Sequence, residues 1–328
     1  MMANRSRLMT LNAMNNATRL LGNAPDFLMT VRSAELVAAT DVTTLITGES
    51  GTGKELLARH IHHNSPRYDR DFIAVNCATL QENLAESLLF GHRKGAFSGA
   101  DRSHQGFIAA AAGGTLFLDE VAELPLNVQA KLLRFLESGE ICPLGETAAR
   151  QIDARIIAAT NRNLAQAVSE GLFREDLFFR LNIVPLELPP LRQRQGDIPL
   201  LVEAFTRQLA ENHGLPAPRF TAAVIRQLST YHWPGNLREL RNLCERLLIL
   251  SPGKAIAVTN LPTEIRQPAE VRQPGFKLPP QGIHLDSLET DFIQQALAQT
   301  HGNKSRAARL LGLTRDTLLY RLKKYAID

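Results

Sequence analysis

The sequence predicts an α/β fold built on a parallel sheet, followed by a smaller all-helical part and a short helical domain at the C-terminus. From about residue 21 to 190, short apolar β-rich runs alternate with helix-like stretches. Helical spacing dominates residues 191–261, and a proline-rich stretch separates them from residues 283–328. A chain of 328 residues with 44% hydrophobic residues can fill the cores of about two domains.

The elements of the α/β part are read from apolar runs of strand length. We expect a helix over 55–62, directly after the first strand. Because strands alternate with helices, we expect a parallel sheet covered on both faces. The predicted strands are residues 42–47, 72–75, 115–118 and 154–159.

Proline and glycine mark the domain boundaries. Residues 262–282 hold five prolines and two glycines, which disfavour a helix or a central strand, so we predict an extended linker. The helical part before it is interrupted at 233–236, where we expect Trp233 to lie in the core and seat a lid. The predicted division is 1–20 (N-terminal segment), 21–190 (α/β part), 191–261 (helical lid), 262–282 (linker) and 283–328 (C-terminal domain).

Composition excludes several classes of protein. No apolar run reaches the roughly 18 residues of a membrane helix, and the N-terminus lacks a signal-peptide pattern. Three widely spaced cysteines form neither a disulfide framework nor a zinc pattern. We therefore expect a cytoplasmic protein with no membrane partner. Core packing is expected for Cys77, Cys142 and Cys244.

Charge is concentrated at the C-terminus. Residues 301–328 hold seven basic and two acidic residues, whereas the whole chain has a net charge of only +4. A basic tail is typical of an anionic partner, most often nucleic acid. The alternative is a solvated basic helix face.

Residues 48–55 follow a predicted strand and open a predicted helix, which is the context of a phosphate-binding loop. Glycines let backbone N–H groups curl around phosphates, the helix N-terminus adds positive potential, and Lys54 reaches the terminal phosphates. Glu55 stands where the common pattern has a magnesium-binding hydroxyl. The alternative is a glycine-rich turn without a ligand. Nucleotide binding is assigned to Gly48, Glu49, Ser50, Gly51, Thr52, Gly53, Lys54 and Glu55.

Two adjacent acids end the predicted strand 115–118. Such a strand end directs one carboxylate to a metal and leaves the other to polarise water. We assign Asp119 to Mg²⁺ and Glu120 to the attacking water. The alternative is a strand end that meets solvent. Together with the phosphate-binding loop, these acids predict ATP and Mg²⁺ as ligands and ATP hydrolysis as the reaction.

Between these two motifs lies the hexapeptide Gly95-Ala96-Phe97-Ser98-Gly99-Ala100. By itself it is a turn that anchors a helix. On these three motifs, residues 21–262 resemble the AAA+ domain of sigma-54-dependent transcription activators, the bacterial enhancer-binding proteins. The GESGTGKE form of the phosphate-binding loop, with Glu55, is that family's version. The resemblance implies an AAA+ P-loop NTPase fold with a helical lid.

The same resemblance implies roles for further residues. Asn76 corresponds to the asparagine that restrains the catalytic glutamate, and Thr160 and Asn161 to sensor I. Arg174 and Arg180 correspond to arginine fingers, which act from a neighbouring subunit; without the resemblance they are ordinary surface arginines. Arg238 corresponds to sensor II, the lid residue that contacts the nucleotide.

In the family, the hexapeptide loop contacts sigma-54, chiefly through its Phe and Thr, which are Phe97 and Ser98 here. An exposed Phe97 at a loop tip fits such a contact. Replacing Thr by Ser removes one methyl group, about 0.8 kcal/mol of burial, so we expect weakened engagement. The resemblance places a second family loop near 143–145.

Residues 302–318 resemble a Fis-type helix-turn-helix, with Ala307, Ala308 and Leu311 on one face, Gly312 in the turn and Leu318, Leu319 and Leu322 facing inward. Thr314 is expected to cap a helix that runs to about 324. A helix–Gly–helix unit without a DNA role is the alternative. The helix 286–299 is a predicted dimer face through Leu288, Phe292, Ile293, Ala296 and Leu297. DNA contacts are assigned to Lys304, Arg306, Thr314, Arg315, Thr317, Tyr320 and Arg321.

The resemblance implies an activator that binds double-stranded enhancer DNA as a dimer, forms a hexameric ring and uses ATP to remodel the sigma-54 RNA polymerase holoenzyme. Because about 20 residues precede the ATPase part, we expect no sensory or receiver domain, and control by an inhibitory or co-activating protein in trans. Two alternatives stay open. One is a sigma-54-independent DNA-binding regulator that uses ATP to oligomerise, which GAFSGA favours. The other is a general AAA+ remodelling enzyme with an incidental helix-turn-helix.

Overall fold

The structure, a computed structural model, describes residues 20–97, 100–266, 282–300 and 302–325. Ser98 and Gly99 of the hexapeptide lie outside the described residues, as does most of the predicted N-terminal segment and linker. The chain divides between Pro268 and Ala269 into two units, and each unit has its own hydrophobic core.

A five-stranded parallel sheet lies at the centre of the first unit. The strands of this part are β1 Thr44–Thr47, β2 Phe72–Asn76, β3 Thr115–Asp119, β4 Glu140–Ile141, β5 Arg150–Gln151, β6 Arg155–Thr160 and β7 Val184–Glu187. The strand order in the sheet is β2-β3-β6-β1-β7, and β4 and β5 form a separate antiparallel pair.

Helices cover both faces of the sheet because alternate strand residues point to opposite faces. In β1, Leu45 packs into one apolar core and Ile46 into the other. The Ile46 face is covered by α1 Pro25–Ala38 and α2 Lys54–His63. The Leu45 side holds α3 Glu82–Phe90, α4 Phe107–Ala110, α5 Leu126–Ser138, α6 Leu164–Ser169 and α7 Glu175–Leu181.

The α/β fold with a parallel sheet is confirmed, and the four predicted strands and the helix over 55–62 form with ends shifted by one or two residues. The sequence reading missed β7, a four-residue strand that contains Pro185. Proline is tolerated there because β7 is an edge strand and pairs only with β1.

The lid follows as three longer helices, α8 Ile198–His213, α9 Ala222–Thr230 and α10 Asn236–Leu250. Two short parallel strands, β8 Arg219–Phe220 and β9 Ala255–Ile256, join its loops. Trp233 is fully buried in the lid core, as predicted, and its Nε1 donates to the Leu228 carbonyl at 2.9 Å.

The expectation that residues 262–282 hold no helix is wrong at their start. A short helix, α11, spans Thr263–Arg266, and Ile265 is buried in the lid core. Pro262 immediately precedes this helix, where the missing proline N–H removes no helical hydrogen bond.

The second unit consists of α12 Leu285–Gln299, α13 Lys304–Leu310 and α14 Arg315–Lys324. Gly312 makes the turn between the last two helices with a φ of 65°. Leu319, expected to face inward, is 37% exposed, which corrects the sequence reading. The core consists of Ile293, Ala296, Leu297, Ala307, Ala308, Leu318 and Leu322.

The three cysteines do not share one environment. Cys77 and Cys244 are buried, and burial raises the pKa of each thiol to about 12. Cys142 is exposed, so the expectation of core packing is wrong for it, because it follows the two-residue strand β4 at the surface. Among the described helices, none is both long and apolar enough to cross a bilayer.

Candidate functional site

The predicted nucleotide-binding residues meet at the carboxyl edge of the sheet. The loop 48–53 follows β1, Asp119 ends β3, and Thr160 ends β6. Because β3, β6 and β1 are parallel neighbours, their carboxyl ends open on one edge, where ligands of such sheets bind. A cleft of about 380 Å³ lies between this edge and the lid and is lined by Ser50, Gly51, Gly53, Lys54, Glu55, Leu56, Asp119, Glu120, Phe205, Gln208, Leu237, Arg238 and Arg241.

Lys54 is held at the floor of this cleft. Its Nζ donates to the Gly48 carbonyl at 3.0 Å and lies 3.5 Å from Glu120 Oε1. Gly53, which precedes α2, has a φ of 101°, a conformation that glycine adopts without steric cost. The turn therefore places an ammonium group at the N-terminus of α2, where the helix dipole adds positive potential.

Glu120 and Asp119 face this cation. Glu120 has a φ of 52°, uncommon for a non-glycine residue, and its Oε2 accepts from the backbone N–H of Asn161 at 3.1 Å. Burial, followed by the Glu120 carboxylate, raises the pKa of Asp119, whereas Lys54 lowers it. Two carboxylates thus share a partly desolvated edge, an arrangement that a cation stabilises.

Asn76 ends β2 next to Asp119, its register partner in β3. Its side-chain oxygen accepts from the Ala78 N–H at 2.9 Å and caps a short 3₁₀ turn. Among the described contacts there is none between Asn76 and Glu120. Glu120 contacts Lys54 and the Asn161 N–H instead, and the role that the resemblance implies for Asn76 stays a prediction.

The remaining polar residues of the loop interact with the protein itself. Thr52 is buried, and its hydroxyl donates to the Glu49 carbonyl at 2.8 Å. Glu55 accepts from Arg59 one helical turn later, at 2.7 Å. At the end of β6, the buried Thr160 hydroxyl accepts from the Arg162 N–H at 3.1 Å.

The lid contacts the first half of the loop. Arg238, predicted to contact the nucleotide, donates to the Ser50 hydroxyl at 3.0 Å. The Glu49 side chain is directed away from the cleft and accepts from Arg192 at 2.7 and 2.8 Å and from Asn236 at 3.2 Å. Sequence reasoning missed Asn236 and Arg192, although an asparagine directly after Trp-Pro-Gly was a usable signal, because asparagine favours turns and left-handed backbone.

Arg174 and Arg180 lie away from this cleft. The Arg174 guanidinium is paired with Asp176 at 2.7 Å. Arg180 donates to the Leu136 carbonyl at 2.8 Å and lines a second cavity with Val42, which precedes β1. The phosphate-binding loop follows the opposite end of β1, so Arg180 does not serve its own chain's cleft.

A hydrogen bond joins the first and last residues of the hexapeptide. The Gly95 N–H donates to the Ala100 carbonyl at 2.9 Å, and Ala100 is buried. Phe97 is half-buried rather than exposed, because its ring packs on His92 with centroids 5.0 Å apart. Ala96 lies against Gly145, where an added Cβ would approach the Ala96 Cβ to 3.0 Å.

The base of the hexapeptide loop is joined to the second loop, residues 143–145. The Arg93 N–H donates to the Leu144 carbonyl at 3.0 Å, and the Leu144 N–H to the Gly91 carbonyl at 2.9 Å. Glu146 reinforces the contact by accepting from Arg93 at 2.8 Å. Backbone hydrogen bonds and an ion pair therefore hold the bases of the two loops together.

In the second unit, Thr314 caps α14 as predicted and accepts from the Thr317 N–H at 3.2 Å. Lys304, Arg306, Arg315 and Tyr320 are exposed, as a DNA-binding surface requires. Arg321 differs from these four residues, because it is half-buried and its guanidinium forms an ion pair with Glu289 of α12.

The predicted dimer face on α12 needs a correction. Ile293, Ala296 and Leu297 are buried in the core of their own unit, so they are unavailable to a second copy. Phe292 remains 47% exposed, and Leu288 is half-buried. The prediction of one apolar helix face is confirmed, but the buried residues of that face pack against α13 and α14 of the same unit.

Three segments of the chain match the sequences of known domain families. Residues 20–187 match the sigma-54 interaction domain, residues 192–276 the AAA+ ATPase lid domain, and residues 284–325 the bacterial regulatory proteins of the Fis family. The lid match extends beyond the predicted lid end at 261.

Characterised relatives and solved structures agree with these matches. The chain is 44% identical to the transcriptional regulatory protein ZraR of Salmonella typhimurium over 93% of its own length and 68% of the relative's. It is 44% identical to the regulatory protein AtoC of Escherichia coli, covering 94% and 68%. The crystal structure of NtrX from Brucella abortus in complex with ADP is similar at 35% identity with a TM-score of 0.71, covering 98% of this chain and 72% of that one.

Proposed function

We propose, since the chain belongs to the family of sigma-54-interacting AAA+ regulators with a Fis-type DNA-binding domain, that it uses ATP hydrolysis to convert the sigma-54 RNA polymerase closed complex into an open one. The observation that carries the proposal is the convergence of Lys54, Glu120 and the Asn161 N–H at the carboxyl edge of the sheet.

The cleft fits a nucleoside triphosphate with Mg²⁺. Lys54 and the N-terminus of α2 supply positive charge for phosphates. Within the described residues, no group of three or more metal-ligating side chains occurs. Mg²⁺ uses one or two carboxylates and completes its shell with phosphate oxygens and water. Asp119 would hold the metal, which neutralises phosphate charge when bound.

Glu120 is the residue that polarises the attacking water. Its two oxygens are held by Lys54 and the Asn161 N–H, so the carboxylate is oriented before a ligand arrives. A bound γ-phosphate competes with Glu120 for Lys54, which frees one oxygen to accept a proton from water. In this scheme Asn161 senses the γ-phosphate through the same carboxylate.

The arginines complete the site from a second copy of the chain. Because Arg180 lies at the far end of its own β1, its guanidinium meets a phosphate only across an interface. Arg174 lies at the start of the same helix, α7, with an exposed side chain. Hydrolysis therefore requires assembly, and we propose a homo-oligomer that is a hexameric ring when active.

The hexapeptide loop is the part of the chain that engages sigma-54. Phe97 leaves its contact with His92 to engage sigma-54, and Ser98 supplies the hydroxyl next to it. The second unit binds enhancer DNA as a dimer, with Lys304 and Arg306 on phosphates and with Thr314, Arg315, Thr317 and Tyr320 in the major groove. Arg321 joins them only when its pair with Glu289 opens.

The test is open-complex formation on a sigma-54 promoter with purified sigma-54 polymerase, the full chain and ATP. Wild-type protein should form open complexes with ATP and none with a non-hydrolysable analogue. Glu120→Gln should retain nucleotide binding and lose at least about a hundredfold in ATPase rate, the lower range of a general-base contribution. Glu211→Gln, an exposed lid substitution of the same kind, serves as the control.

ATPase activity without open complexes would overturn the sigma-54 assignment and leave a DNA-binding regulator. Full ATPase activity in Glu120→Gln would overturn the assignment of the general base.

A further inference from the structure

We propose that Asn236 is a positioning residue that presents the first half of the phosphate-binding loop to the nucleotide, so that nucleotide affinity depends on how the lid is seated. The inference rests on the proposed ATPase function and names a residue outside the usual loop, metal and arginine positions. It is carried by the contacts of one buried amide.

The Asn236 side chain joins three segments of the chain. Its Oδ1 accepts from the Leu191 N–H at 2.8 Å, and its Nδ2 donates to the Ser50 carbonyl at 3.0 Å and to Glu49 Oε2 at 3.2 Å. The residue is fully buried and has a φ of 50°. Asparagine tolerates this left-handed conformation better than most residues, and here both of its amide N–H donors and its side-chain oxygen form hydrogen bonds.

The lid helix uses the loop as its cap. Helix α10 begins at Asn236, and Glu239 Oε2 accepts from the N–H of its N-cap residue Gly235 at 2.8 Å, whereas within the described residues no side chain accepts from the Leu237 N–H. The Leu237 N–H donates instead to the Gly51 carbonyl at 2.9 Å. The approach is close: a Cβ on Gly51 would lie 2.4 Å from the Gly235 carbonyl oxygen. Glycine at 51 is therefore required by the lid as well as by the turn.

These two bonds orient peptide groups. In a planar trans peptide the C=O and N–H point in opposite directions. When Asn236 holds the Ser50 carbonyl, the N–H of Gly51 must point away from the lid residue. Within the described chain this N–H has no protein acceptor. It is the kind of donor that a phosphate oxygen needs, and the lid sets its direction.

An ion pair beside Asn236 extends the connection. Arg192 meets both oxygens of Glu49, at 2.7 and 2.8 Å, one residue beyond Leu191. The connecting segment to the lid is thus attached to the loop at Glu49 and at Ser50. A lid that tilts moves both attachments, and with them the phosphate donors.

The test measures binding and turnover separately in the full chain. Asn236→Asp keeps the acceptor for Leu191 but cannot donate to Ser50 and faces the Glu49 carboxylate. We expect at least about a tenfold rise in the Kd of a fluorescent ADP analogue and in the KM for ATP, because both hydrogen bonds from this side chain to the loop are lost, with kcat changed less than about twofold. Asn236→Gly, which keeps the left-handed backbone, should weaken binding similarly.

The matched control is Gln227→Ala, which removes a lid hydrogen bond to the Ile265 carbonyl without touching the loop. Arg192→Gln, at a partly exposed site, gives a second variant and should raise Kd by a smaller factor. Unchanged Kd in both Asn236 variants, or an equal loss in Gln227→Ala, would overturn the proposal. Wild-type protein that binds no nucleotide would overturn the ATPase function instead.

Discussion

Two ion pairs lie within six residues on the segment that connects the sheet to the lid, and their environments are opposite. Arg192 pairs with Glu49 across 143 residues, and both side chains are about 40% exposed. Arg194 pairs with Asp197 three residues away, and the side chains are 2% and 1% exposed. Removing a partner leaves a buried charge uncompensated only in the second case.

The buried pair is enclosed by the segment that leads into α1. Asp197 Oδ1 accepts from the backbone N–H groups of Asn23 and Ala24 at 2.6 and 3.2 Å, and Arg194 donates to the Leu21 carbonyl at 2.8 Å. The Arg194 guanidinium also lies 3.6 Å from the centre of the Phe27 ring. Asp197 is therefore a buried carboxylate held by several donors, whereas Glu49 forms an exposed pair that water can replace.

The largest effect is expected at the buried pair. Asp197→Ala removes the partner of a buried guanidinium and two backbone acceptor contacts, so the free energy of unfolding should fall by about 3–5 kcal/mol. Urea denaturation followed by circular dichroism measures it. A loss below about 1 kcal/mol would show that Arg194 is solvated and would remove the contrast between the two pairs.

A smaller effect is expected at the exposed pair. In a double-mutant cycle of Glu49→Gln and Arg192→Gln, the coupling energy in unfolding should be about 0.2–1 kcal/mol, because both groups remain hydrated. It should shrink further as salt rises from about 0.1 M to 1 M. A coupling as large as the loss at Asp197 would contradict the distinction.

The smallest effect is a pH dependence. The hydrogen bond from Arg192 lowers the pKa of Glu49 from its ordinary value of 4.5, with a further contribution from Asn236. A carboxylate with a lowered folded-state pKa stabilises the fold above its unfolded pKa, and that stability is lost as pH falls through the folded pKa. NMR titration of the Glu49 carboxyl carbon should show the pKa returning towards 4.5 in Arg192→Gln. An unaltered titration would mean that Arg192 does not hold the carboxylate.

Most of the fold and part of the candidate site were predictable from local sequence. Residues 48–55, Asp119, Glu120 and the cap at Thr314 depend on backbone requirements that act within a few residues. The missed features depend on distant partners. The exposed Cys142, the Arg321–Glu289 pair and the half-buried Phe97 follow from neighbours brought in by the fold, which periodicity does not record.

The sequence by itself determined the fold class, the family and the order of its three parts, because glycine spacing, strand-end acids and helix caps are short-range features. Only the tertiary structure decided which partners the polar groups take. Glu49 lies inside the phosphate-binding loop, yet its carboxylate binds Asn236, 187 residues away, and leaves the cleft. The reason is physical: a charged group takes the best donors that the packed chain brings near it, and those donors come from the lid and from the segment that leads into it.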